Sequence, residues 1–203
     1  MPRFFMLKPE NKQNLYQNLK ARLKTDLIPT EIWQASGHDE LLPAAVLVPL
    51  FWKNDELHIL LTKRSESLKK HSGQVSFPGG RFDKEDLTIR QAAIRETREE
   101  IGIAEEHINV VGYLDDVQTA SGFYVTPFVA VLDDNFSITR NTSEVSEVFS
   151  VPFQYFAEES NRSKHTAKYK GQNVNYYVYP HQKHTIWGVT AEIIVKLVDK
   201  IIE

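Results

Sequence analysis

No cysteine occurs among the 203 residues. That absence excludes disulfides, thiolate nucleophiles and cysteine-ligated zinc together, leaves any metal to oxygen or imidazole donors, and fits a reducing compartment. An excess of charge of one sign is also missing. The 24 Lys and Arg against 27 Asp and Glu leave a formal net charge of -3, so no global field draws the chain to nucleic acid or an anionic membrane. A polyanionic ligand would need local help. No segment approaches the ~20 apolar residues that span a bilayer. The start, Met1 to Glu10, carries Phe4 and Phe5 but no apolar run of signal-peptide length, and Lys200-Ile201-Ile202-Glu203 is not a Ser-Lys-Leu type address. The expectation is a soluble, cytoplasmic protein.

What is present is a chain with 41% hydrophobic residues, enough to bury one substantial core, so a single domain spanning 1–203 is expected. Between Asn11 and Lys24, Leu15, Leu19 and Leu23 recur at every fourth position, the spacing of an amphipathic helix that packs on the main domain. Apolar or β-prone runs at Ala44 to Trp52 and His58 to Lys63, joined by Lys53-Asn54-Asp55-Glu56, read as a hairpin. A third strand is expected at Gln74 to Phe77, broken by Pro78-Gly79-Gly80. Thr88 and Gln91 offer a capping box for a helix that runs to about Ile101 and is closed by Gly102. Strands are then expected at Ile108 to Leu114, Tyr124 to Leu132, Val145 to Val151 and Gln172 to Tyr179. A closing helix follows from Trp187 to Ile202, with Val189, Ile193, Leu197 and Ile201 on one face and Trp187-Gly188 packing it. Strands around one embedded helix indicate an α+β fold with a mixed sheet, not a regular βαβ alternation. No repeat or low-complexity segment is seen.

The chemistry-bearing stretch is Arg95-Glu96-Thr97-Arg98-Glu99-Glu100-Ile101-Gly102-Ile103. Carboxylates at 96, 99 and 100 are spaced i, i+3 and i+4, so a helix gathers them on one face. Three oxygen donors with no histidine or cysteine suit Mg²⁺ or Mn²⁺ better than zinc. A charged helix face is as readily a merely solvated one, because like charges at that spacing cost only about 0.2–0.5 kcal/mol per pair. The loop Phe77-Pro78-Gly79-Gly80 upstream tips the balance, since its glycines permit close approach to a ligand.

Together these segments resemble the Nudix box, which runs Gly, five residues, Glu, seven residues, then Arg-Glu-aliphatic-x-Glu-Glu-x-Gly-aliphatic. In this chain Asp86 stands at the first acidic position, eight residues precede Arg95, and Thr97 replaces the aliphatic. The resemblance implies the Nudix fold, a mixed sheet packed between helices, here with helices added at both ends. It implies an N-terminal helical extension over 1–38 and a catalytic core over 42–203. It also implies metal ligation by Glu96, Glu99 and Glu100, one of which also helps deprotonate the attacking water, and a structural pair of Arg95 with Asp86.

Leu60-Leu61-Thr62-Lys63-Arg64-Ser65, followed by Lys69, Gly73 and Phe77-Pro78-Gly79-Gly80, resembles the signature of the coenzyme A pyrophosphatase branch of that family, with Lys69 where arginine is expected. This implies a substrate site of Arg64, Lys69, Gly73, Phe77, Gly79 and Gly80. It also implies hydrolysis of coenzyme A or its derivatives to 4′-phosphopantetheine and adenosine 3′,5′-bisphosphate. Arginine clasps phosphate with two parallel hydrogen bonds, whereas lysine acts as a point charge. Equally, Arg64 could be a charged strand end, and Lys69 and Lys70 a solvated turn. Glu144 is preferred to Glu147 as the further acidic ligand or base that related enzymes often carry. Ser121 to Pro127 could line the pocket, His71 is expected to orient its loop or lie exposed, and the pair His181 and His184 has ligand spacing without other support. Two rivals remain open: a Nudix pyrophosphatase acting on ADP-ribose or another nucleoside diphosphate derivative, and a non-catalytic Nudix-fold binding module. The expected partner is a small molecule, with no nucleic acid, no membrane, and a homodimer as a compatible assembly.

Overall fold

The computed structural model describes residues 12–25, 41–169 and 171–202. Helix α1 (Lys12–Arg22) precedes a hairpin of β1 (Leu42–Lys53) and β2 (Glu56–Arg64). The start of the expected first helix, Asn11, lies outside the described residues, as does the whole 26–40 segment that would bound the extension. The hairpin turn tightens to Asn54-Asp55, both with positive φ (48° and 63°). Such a two-residue turn matches the strand twist and favours residues that tolerate the left-handed region.

Short strands β3 (Val75–Ser76) and β4 (Gly79–Arg81) follow, then α2 (Ile89–Ile101), β5 (Ile108–Tyr113), β6 (Val117–Gln118), β7 (Phe123–Leu132) and β8 (Val145–Pro152). After these come α3 (Phe153–Ala157), β9 (Ser163–Tyr169), β10 (Gln172–His181), β11 (His184–Trp187) and α4 (Gly188–Ile202). Among the described residues, strands β1 to β8 form one sheet, with β1 parallel to β7 and antiparallel to β2 and β4. Strands β9, β10 and β11 form a second, antiparallel sheet.

The main sheet is covered on both faces. Ala92, Ala93, Ile94 and Ile101 of α2 join Ala45, Leu47 and Leu60 in one core. Ile193, Ile194 and Leu197 of α4, with Leu15, Leu19 and Leu23 from the N-terminal segment, join Val48, Ile59 and Leu61 in the other. This is the mixed sheet between helices expected of the α+β class. Strand alternation explains the division, because successive residues of β2 point to opposite faces. Helix α2 begins and ends as its sequence dictates. Thr88 and Gln91 form the reciprocal capping box, and Gly102 closes the helix in the left-handed conformation.

Four short or exposed strands, β4, β6, β9 and β11, were not expected. Pro78-Gly79-Gly80 breaks β3, yet its glycines at once start β4. The last helix begins at Gly188, and Trp187 ends β11 with 45% of its surface exposed. Contrary to the expectation that it packs the last helix, Trp187 meets Tyr176 edge-on across the small sheet, ring centroids 6.0 Å apart. No described helix is long and apolar enough to cross a membrane.

Candidate active site

The site begins with two glycines that let backbone pass where a side chain would collide. A Cβ on Gly79 would lie 2.3 Å from the Ala45 carbonyl oxygen, and one on Gly80 would lie 2.4 Å from the carboxyl carbon of Glu96. Strand β4 therefore lies flat against β1, opposite Ala44 to Val46, with the Glu96 carboxylate over Gly80. The Gly79 N–H donates to Glu100 Oε2 at 3.3 Å. Loop and acidic helix thus meet through direct contacts.

Arg95 organises the outer edge. Its Nε and Nη2 each donate to one oxygen of Asp86 at 2.9 Å. Nη1 reaches Glu96 at 2.9 Å and Glu99 at 3.1 Å, and Nη2 also donates to the Arg81 carbonyl at 3.1 Å. Asp86 is deeply buried and also accepts from the Asp83 N–H. Burial pushes the Asp86 carboxyl up, but the hydrogen bonds from Arg95 and Asp83 outweigh it and hold the group below the usual carboxylate range. The partners of Arg95, Asp86 first, raise the guanidinium further above its ordinary value.

The inner carboxylates behave differently. Glu100 has a side chain only 3% exposed, with Arg64 Nη1 at 3.7 Å from Oε1. Burial pushes its pKa up to about 8; Arg64 and the Gly79 N–H oppose the rise, while the charges of Glu96 and Glu144 add to it. Glu96 is also raised, chiefly by burial, with Arg95 opposing and Glu99 and Glu144 adding. Buried carboxylates whose pKa is raised are functional candidates. Here the leading cause is burial away from water, to which neighbouring like charge adds.

The other expected residues are dispersed. Arg64 and Glu144 join the site: Arg64 through Glu100, and Glu144 by the effect of its charge on Glu96 and Glu100. Lys69 is exposed and makes no ion pair among the described residues, Gly73 closes its loop with φ 67°, and His71 is exposed, its Nδ1 2.9 Å from Gln74 Oε1. Phe77 is buried in the main core, where it anchors the chain beneath the glycines and is not open to a ligand. Glu147 projects away from the acidic helix to pair with Lys183 at 3.0 Å. His181 and His184 face each other across the β10–β11 turn. Thr97, the polar residue in an otherwise aliphatic place, is fully buried and donates to the Ala93 carbonyl at 2.7 Å, so its hydroxyl is satisfied within the helix.

Among the described residues no three His, Asp or Glu side chains are already gathered as a cation cage, and Glu96 and Glu99 are both hydrogen-bonded to Arg95. The donor chemistry nevertheless fits a hard divalent ion. All donors are carboxylate oxygens, and the two inner ones carry a repulsion and desolvation penalty that a dication would relieve. The Arg64–Glu100 approach and the Glu99 contact of Arg95 had no signal in sequence spacing beyond the i, i+4 relation of 95 and 99.

The family model for the NUDIX domain matches residues 41–171. A protein of Photorhabdus laumondii named "Uncharacterized Nudix hydrolase NudL" is 38% identical over 158 residues, covering 78% of this chain and 84% of its own. A protein of the same name from Yersinia enterocolitica is 39% identical over 160 residues, covering 78% and 80%. Among solved structures, a C. elegans Ap4A hydrolase binary complex aligns with a TM-score of 0.47 at 23% identity, covering 56% of this chain and 82% of that one. The NUDIX domain of Shewanella oneidensis NrtR complexed with ADP ribose aligns with a TM-score of 0.45 at 21% identity, covering 61% and 84%.

Proposed function

Since this chain belongs to the Nudix hydrolase family, we propose that it is a single-domain pyrophosphatase acting on coenzyme A or its derivatives. Nudix hydrolases act on small molecules and generally use divalent metals. The observation that carries the coenzyme A reading is the continuity of the stretch Leu60 to Gly80 with the acidic helix. That stretch runs along β2, brings Arg64 beside Glu100, and returns as the Gly79-Gly80 strand under Glu96.

Glu96, Glu99 and Glu100, with Glu144 beside them, would hold Mg²⁺ or Mn²⁺. When bound, such an ion lowers the pKa of a coordinated water and neutralises charge developing on the phosphates. The residues do the rest. Arg95, braced by Asp86, keeps Glu96 and Glu99 on the substrate side of the helix. Glycines 79 and 80 let the diphosphate approach the backbone. Arg64, 29% exposed in its side chain, has donors to offer a phosphate oxygen while it neutralises Glu100, and exposed Lys69 adds a point charge at the rim. One of the carboxylates accepts the proton of the attacking water. Water adds to one phosphorus, the bridging P–O bond breaks, and the products are 4′-phosphopantetheine and adenosine 3′,5′-bisphosphate.

The test is incubation of purified protein with coenzyme A and separately with ADP-ribose, with and without Mg²⁺ or Mn²⁺, with products identified by mass spectrometry. Metal-dependent release of 4′-phosphopantetheine, faster than ADP-ribose cleavage, is the expected result. Cleavage of ADP-ribose alone would overturn the coenzyme A reading while leaving the pyrophosphatase chemistry. Cleavage of neither would favour a binding module.

A further inference from the structure

Strands β2 and β8 pair in register from His58 opposite Pro152 to Lys63 opposite Glu147, but Arg64 then faces Val145. Ser146 is the extra residue, which makes this a β-bulge. A bulge bends its strand and re-aims the side chains beyond it.

Strict alternation would send Val145 to the same face as Glu147 and Phe149. Phe149 stacks on His184, centroids 3.9 Å apart, and packs against the core that contains α4. Val145 instead lies in the opposite core, with α2. The bulge therefore carries the chain ahead of β8 across to the end of the acidic helix. There the Asn141 N–H donates to the Glu100 carbonyl at 2.9 Å, and the Ser65 N–H donates to the Glu144 carbonyl at 2.7 Å. The second bond ties Glu144, just ahead of the bulge, to the chain that follows Arg64.

A bulge loses ladder hydrogen bonds, and something must replace them. The Ser146 hydroxyl does so, lying 3.0 Å from the Lys63 carbonyl and 3.2 Å from that of Arg64. The Arg64 N–H is tied on its other side to the Gln74 carbonyl at 2.9 Å. Arg64 is thus pinned between the signature loop and Ser146, while its guanidinium faces Glu100.

We infer that Ser146 is a positioning residue of the active site: its hydroxyl fastens the bulge to the backbone of Lys63 and Arg64, and so holds Arg64 and the adjoining Glu144 in place beside the acidic helix, without touching substrate. The inference rests on the reading of Glu96, Glu100 and Glu144 as the reacting carboxylates, and it does not depend on which diphosphate is cleaved.

The test compares wild type with Ser146→Ala and Ser146→Thr in four measurements: amide exchange at Ser65, Mn²⁺ binding by electron paramagnetic resonance without substrate, kcat and KM at saturating Mn²⁺, and the thermal midpoint. Kinetics use whichever of coenzyme A or ADP-ribose the wild type cleaves. Ser146→Ala should speed exchange at Ser65 and weaken Mn²⁺ binding or lower kcat by about tenfold, as loss of a supporting hydrogen bond does at metal sites. KM should rise as Arg64 loosens, and Ser146→Thr, which keeps the hydroxyl, should restore all of these values. A lowered midpoint with wild-type exchange, Mn²⁺ affinity and kcat would overturn the inference, as would a change confined to KM or a failure of threonine to restore. If Ser146→Ala does not fold, Ser146→Cys, a weak donor of similar size, takes its place under the same criteria. A wild type that cleaves neither compound sinks the coenzyme A reading, yet exchange and Mn²⁺ binding still decide the role of Ser146. A wild type that binds no Mn²⁺ overturns the inference with the site.

Discussion

Replacing Asp86 by alanine removes the main partner of Arg95 and tests whether that pair joins loop to helix. The Asp86 side chain is 3% exposed and that of Arg95 19%, with two hydrogen bonds of 2.9 Å between them. Breaking a fully buried pair from one side costs about 3–5 kcal/mol. Here Arg95 keeps Glu96, Glu99 and the Arg81 carbonyl and retains some access to water, so the expected loss is about 2–3 kcal/mol. For a chain of this size that lowers the melting midpoint by roughly 4–12 °C. The loss must depend on pH in one direction. Asp86 has a folded pKa below its unfolded value, so its contribution is fully present above about pH 4 and fades as pH falls through the folded pKa. Urea unfolding of wild type and Asp86→Ala should therefore show a gap that is constant from neutral pH to about 5 and narrows in acid. A gap under about 0.5 kcal/mol at pH 7, within the range of an ordinary surface substitution, would refute the claim that Asp86 and Arg95 brace the site.

Glu100→Gln should separate stability from function. A carboxyl raised to about 8 by burial and neighbouring charge binds more protons folded than unfolded, so it costs stability as pH rises from about 4.5 towards 8. The metal-free variant should melt higher than metal-free wild type at pH 8 and much less so at pH 5, while losing Mn²⁺ affinity and activity; equal melting at both pH values would contradict the burial argument. Burial depresses His58, with Lys53 adding and Glu56 opposing, so native stability should fall as pH drops below about 6.5, where the unfolded chain protonates first. His58→Gln should flatten that dependence in melting curves between pH 7 and 5. Of the two site glycines, Gly79→Ala meets backbone at 2.3 Å and should destabilise by about 2–3 kcal/mol or prevent folding, whereas Gly80→Ala meets only the movable Glu96 carboxylate and should cost under about 1 kcal/mol while lowering activity. Chemical denaturation with parallel kinetics checks both.

Features governed by near neighbours in sequence were legible before any coordinates. The capping box at Thr88 and Gln91, the Gly102 stop and the leucines at 15, 19 and 23 each depend on residues a helical turn apart, and each was found. The pairing of Arg95 with Asp86 was expected from the family resemblance, and it is present. What escaped was set by contacts distant in sequence. Strand β9 has no buried residue, so no apolar alternation marks it, and β4 consists of two glycines and an arginine whose strand conformation comes from β1 alone. A glycine pair usually reads as a break, because propensity says nothing of a neighbouring strand that supplies the hydrogen bonds.

The same division runs through the site. Spacing on α2 is enough to say that Glu96, Glu99 and Glu100 share a face, but it cannot say that the face divides. Glu99 lies outward on Arg95, while Glu100 is sealed beneath Gly79 and opposite Arg64. That difference comes from β2 and β4, which bring a cation and a backbone N–H to one carboxylate and not to its neighbour one residue away. It also separates two kinds of acid in one motif: a half-exposed carboxylate held by Arg95, and a buried one whose charged form burial disfavours in spite of Arg64. If these carboxylates hold a divalent ion, as proposed, Glu96 and Glu99 would have to exchange their Arg95 contacts for it, whereas Glu100 already lies inward, opposite Arg64.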